Sequence, residues 1–137
     1  MIDFRKEWLP QIIGYAELVS DEDVIRKSWL DGDRSRTSVI SPDELFVQFF
    51  ESLEAEAYKA ILDQHLPNDQ RLCEAITRFV DAMSALDAEA TAASSFPDPQ
   101  AVLDSRTWQL AREAAGALTQ EADLAGYSSS DFDPGSH

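Results

Sequence analysis

From Pro10 to Ala122 the apolar residues recur every three to four positions, the spacing of one helix face, and only Thr37 to Ile40 hints at strand-like alternation. The pattern predicts an all-α chain, a single-domain bundle of about five to six helices. Residues 3–9 are expected to form a helical turn carrying Phe4 and Trp8, after which Pro10 takes the first position of a helix over about 10–19. That helix presents Ile12, Ile13, Tyr15, Ala16 and Val19. Ser20 is the expected N-cap of a second helix reaching Leu30, with Asp21, Glu22 and Asp23 at its positive pole. Glu22–Arg26 and Asp23–Lys27 are spaced to pair along it, and Gly32 ends it.

Ser41-Pro42-Asp43-Glu44 is the strongest boundary signal, a serine N-cap, a proline at N1 and a glutamate at N3 forming a capping box. Leu45, Phe46, Phe49, Phe50 and Leu53 follow at helical spacing; Tyr58, Ile61, Leu62 and Leu66 continue it, with a break expected near Glu54. A helix over about 69–87 carries an uninterrupted apolar stripe, and 88–96 reads as a connection because the stripe is lost among alanines and serines. Asp98-Pro99 opens a short turn holding Val102 and Leu103, and a last, alanine-rich helix is expected over about 105–123. The expected domain is 1–125, with a disordered, polar tail over 126–137.

Charge changes the picture most. Among 137 residues, 26 acids stand against 11 bases, a net charge of −15. Nucleic acid and anionic membrane surfaces are therefore poor partners, whereas a cationic macromolecule would be drawn in faster. Solubility alone is the plainer explanation of such a surplus. A lone cysteine, Cys73, permits no internal disulfide, and the mixed charges of Met1 to Glu7 are unlike a secretory leader, so a cytoplasmic location is expected.

Catalytic chemistry finds few carriers. The two histidines, His65 and His137, lack fixed partners, and Cys73 falls on an apolar stripe where packing is the ordinary role. Asp31-Gly32-Asp33 begins like a calcium loop, but its twelfth residue is Pro42 and its glycine is misplaced. Neither metal nor other cofactor is implied, and no enzymatic activity is expected. Three surface features remain as partner-binding candidates. One is the acidic set Asp43, Glu44, Glu51 and Glu54, which equally suits a solvated helix face. Another is the loop holding Asp31 and Asp33, whose acids have Arg34 and Arg36 beside them as alternative partners. The third is Trp8 beside Pro10, read as a half-exposed aromatic anchor.

Trp8-Leu9-Pro10, the segment from Ser20 to Ser38 with Trp29-Leu30-Asp31-Gly32, and the capped run Pro42-Asp43-Glu44-Leu45-Phe46 resemble the small helical immunity proteins of bacterial polymorphic-toxin systems, including contact-dependent growth inhibition. The resemblance lies in general style over roughly residues 1–120 and transfers no residue role. It implies a cytoplasmic protein that binds one cognate toxin domain, often a basic nuclease, and occludes its active or substrate-binding surface. The alternative is a homodimeric structural or regulatory adaptor without catalytic activity.

Overall fold

The computed structural model describes residues 8–33, 35, 37, 39, 41–54, 56–93 and 97–127. The expected turn over 3–7, the arginines Arg34 and Arg36, and the tail from 128 onward lie outside the described residues.

Seven helices and no strand occur among the described residues, so the chain is an all-α bundle with slightly more helices than the pattern implied. They are α1 (Leu9–Ser20), α2 (Glu22–Asp31), α3 (Pro42–Leu53), α4 (Tyr58–His65), α5 (Gln70–Ala93), α6 (Pro99–Leu103) and α7 (Arg106–Leu124). Most starts are held by a side chain that accepts an otherwise unpaired backbone N–H. Ser41 Oγ accepts from Glu44 N at 3.3 Å, Asp98 Oδ2 from Ala101 N at 3.3 Å, and Ser105 Oγ from Trp108 N at 3.1 Å. The cap of α2 is Asp21, not Ser20 as expected; Asp21 Oδ1 accepts from Val24 N at 3.3 Å. Ser20 is still inside α1, where its hydroxyl donates to the Glu17 carbonyl at 2.9 Å. A single residue therefore turns the chain between two helices.

The helix α5 runs six residues past its expected end at 87, to Ala93, through much of the stretch read as a connection. Ala90 explains this: it lies four residues after Leu86 and seven after Met83, all three are buried, and alanine is the best helix former. At the other end of the chain, Tyr127 packs against the core and its N–H donates to the Ala122 carbonyl at 2.9 Å, so packing reaches two residues beyond 125.

The centre of the bundle is α7, packed between α5 and α1, and its buried stripe of Ala111, Ala115, Leu118 and Ala122 lets both neighbours come close. Around it, α2 and α3 dock on α1, α3 touches α5, and α6 bridges α2 and α7. Two aromatic groups fill the gaps. Phe49 lies 5.8 Å from Tyr15, 5.1 Å from Phe50 and 5.2 Å from Phe79, each near edge-on, the arrangement that ring quadrupoles favour. Trp29 and Trp108 lie 5.3 Å apart between α2 and α7. Among the described residues their buried indole N–H groups find no acceptor. The same seam is pinned at its edge by Arg112, which pairs with Glu22 at 3.4 Å. No helix among the described residues is long and apolar enough to cross a membrane.

Candidate functional site

Two acidic candidates share the outer stripe of α3. From Glu44, Val47 is three residues on and Glu51 seven, which sets them along one side of the helix over about 10 Å, and Glu54 follows as the C-cap just past its end. Glu51 and Glu54 are exposed, Asp43 and Glu44 half-buried at the positive pole of the helix, where carboxylates are favoured. Between them Val47 is bare, with 64% of its surface exposed. Sequence reasoning passed over Val47, although its position opposite the Leu45–Phe46–Phe49 face marks it as an apolar residue directed at solvent.

The far end of α3 is built against local preference. Glu54 adopts the left-handed conformation, with φ 55° and ψ 63°, where a Cβ costs about 1–2 kcal/mol and glycine is the usual occupant. Both Glu51 and Glu54 also face the negative pole of the helix, where cations are favoured and none is present in the last turn. Glu54→Gly is accordingly expected to raise stability by about 1 kcal/mol, a rise in Tm of roughly 3–5 °C. A thermal melt showing no gain would mean that the turn is not strained.

Trp8 is not a surface anchor. It is wholly buried, and its indole Nε1 donates to the Leu53 carbonyl at 3.0 Å. That carbonyl is one of the last of α3 and has no partner within the helix, so Trp8 caps the helix end that carries Glu51 and Glu54. Proximity to Pro10 suggested exposure; the structure instead uses the ring as a cross-brace between the start of α1 and the end of α3. Tyr15 braces the same corner through a side-chain hydrogen bond with Ser52. Burial is the main cause that pushes the Tyr15 hydroxyl pKa up; Glu51 adds to it and Ser52 works against it.

Asp31 and Asp33 lie at the opposite end, where α2 finishes. Gly32 is left-handed at φ 70°, and Asp33 N–H donates to the Lys27 carbonyl at 3.1 Å, the helix stop that the glycine announced. Asp31 is exposed, whereas Asp33 is half-buried and accepts the Ser35 N–H at 2.9 Å. The following segment is strapped down. Thr37 and Val39 are buried, Ser28 Oγ donates to the Val39 carbonyl at 2.7 Å, and Thr37 Oγ1 accepts the Val39 N–H at 3.1 Å. Val39, two residues before the Ser41 cap of α3, is thereby tied to Ser28 of α2. The candidate acids thus fall on two stretches of the chain, Asp31 and Asp33 at the end of α2 and Asp43, Glu44, Glu51 and Glu54 along and just after α3.

On α2, Glu22 and Asp23 are met by Arg26 and Lys27 at 3.3 Å, as their spacing predicts, and Glu22 is also met by Arg112. Between Thr37 and Tyr58 the chain has five acids and no base. Elsewhere, burial raises the Cys73 thiol pKa, helped by Asp69 and Asp63, which opposes thiolate formation. The Cys73 thiol instead donates to the Leu66 carbonyl at 3.3 Å. Burial likewise raises Asp87, and with Asp81 it raises Tyr58. His65 is exposed in the last turn of α4, a position favourable to a cation. Among the described residues no three histidine, cysteine or carboxylate side chains converge on a possible metal position.

Comparison with protein-family models, with curated proteins and with solved structures finds no match to this chain.

Proposed function

We propose that the chain is a binding protein of the immunity type, which neutralises a cognate, basic toxin domain by laying the exposed side of α3 over its active or substrate-binding surface. The observation that carries this reading is the end of α3. Glu54 occupies a left-handed position against backbone preference and, with Glu51, faces the negative helix pole, while bare Val47 lies one turn before Glu51 and about two before Glu54. Local rules broken together at one exposed place, at a cost in stability, are the mark of a surface shaped for contact. A nuclease presents cations to phosphates, and a row of carboxylates competes for that surface; Val47 supplies a small apolar contact among them.

The test is association with a purified basic toxin domain, sought first in the reading frames that neighbour the gene. Reversing Glu44, Glu51 and Glu54 to lysine is expected to slow association tenfold or more at low salt, with the difference shrinking as ionic strength rises and helicity unchanged. Equal association rates for the variant and the parent protein would remove α3 from the interface. Sedimentation as a stable dimer, with no toxin bound, would favour the homodimeric adaptor instead.

A further inference from the structure

The toxin-binding reading leaves the apolar part of the interface thin on this chain. Among the described residues no aromatic side chain is exposed; the exposed large apolar residues are Leu30, Val47, Leu110 and Leu124. A cleft offers the complementary arrangement. It measures about 310 Å³ and opens between the second half of α5 and the segment from Pro97 through α6 to the start of α7. Leu86, Ala90, Ala101 and Val102 supply its apolar lining, and Glu89 and Asp98 are its carboxylates. Glu89 and Asp98 both lie in the part of the chain from Phe79 to Ser105, which has five acids and no base.

We infer that this cleft receives a large apolar side chain of a basic partner protein, flanked by lysine or arginine residues that meet Glu89 and Asp98. The inference rests on the reading of the chain as a binder of a basic protein and adds a second contact remote in sequence from α3. The volume is at the lower end of the range of ligand sites, enough for one or two side chains. Charge decides the class of occupant. A carboxylate rim without a lining cation disfavours anionic ligands and acidic segments, whereas a cationic segment gains at the rim while its apolar residue leaves water. The cleft is also well founded. Asp98 and Ser105 cap α6 and α7 by accepting backbone N–H groups, and Leu86 and Val102 belong to the hydrophobic core, so four of its lining residues are tied into the fold.

Two fluorescein-labelled synthetic peptides test this without the toxin: one leucine flanked on each side by lysines, and the same peptide with serine for leucine. The leucine peptide is expected to bind at least tenfold more tightly and to shift the methyl resonances of Leu86, Ala90 and Val102. Ala101→Phe, which fills the cleft from an exposed position, is expected to abolish that difference. Glu89→Gln with Asp98→Asn is expected to weaken both peptides, and asparagine keeps the α6 cap intact. Equal affinity of the two peptides, shifts confined to α3, or identical shifts with neutral dodecanol and no dependence of affinity on lysine would each overturn the inference. Shifts confined to α3 would leave the reading of α3 standing. Conversely, a toxin whose association ignores the α3 reversals but weakens with Ala101→Phe would remove α3 and keep the cleft.

Discussion

Phe49→Ala is expected to lower folding stability by about 3–5 kcal/mol, against a total of roughly 5–15 kcal/mol for a domain of ordinary stability. Phe49 is wholly buried and is the shared member of three ring contacts, reaching Tyr15 on α1, Phe50 on its own helix and Phe79 on α5. Truncation opens a cavity where three helices meet. It also removes the edge contacts, each contributing about 0.5–1.5 kcal/mol beyond area burial. Phe50, half-buried at the margin of the same cluster, provides the control; Phe50→Ala is expected to cost less than half as much. Urea denaturation of the two variants measures the difference, and a shift in Tm of roughly 10–20 °C should accompany the Phe49 change. Similar losses for both would mean that the three helices are held elsewhere, with the alanine seam of α7 the next place to look.

The core of this cluster was readable in the sequence because Phe46, Phe49 and Leu53 keep helical register after an unmistakable cap at Ser41. Capping signals also placed α6 and α7 within a residue or two, and the break at Glu54 was expected. Alanine was the weak point of the reading. In 88–93 its small side chain did not register as part of a stripe, yet Ala90 is buried and α5 continues through it. The extra helices arise where a long pattern is interrupted: the left-handed turn at Glu54 divides the 42–66 stretch into α3 and α4. The candidate acids were legible as residue types, but not the tie from Ser28 on α2 to Val39 just ahead of α3, between positions eleven apart. The left-handed backbone at Glu54 is a tertiary outcome that the expected break did not specify, whereas the exposure of Val47 follows from its register on α3.

Trp8 separates a contact residue from a supporting one, and its two substitutions should behave differently. Trp8→Ala removes a wholly buried indole and is expected to cost about 3–5 kcal/mol. Trp8→Phe keeps most of the apolar ring but leaves the Leu53 carbonyl without its donor, and is expected to cost about 1–3 kcal/mol. The loss should be felt first at the end of α3. Faster hydrogen exchange is therefore expected at the Glu54 and Ala57 amides, which donate to the Glu51 and Glu54 carbonyls at 3.3 and 2.8 Å. Were Trp8 a partner anchor, the pattern would reverse: Trp8→Phe would leave stability and exchange unchanged while shortening the lifetime of the toxin complex. As a brace, it would affect the proposed toxin binding only through the position of Glu51 and Glu54. At temperatures well below the variant's melting point, Trp8→Phe should slow association less than the triple charge reversal, because the carboxylates that attract a basic partner are all retained.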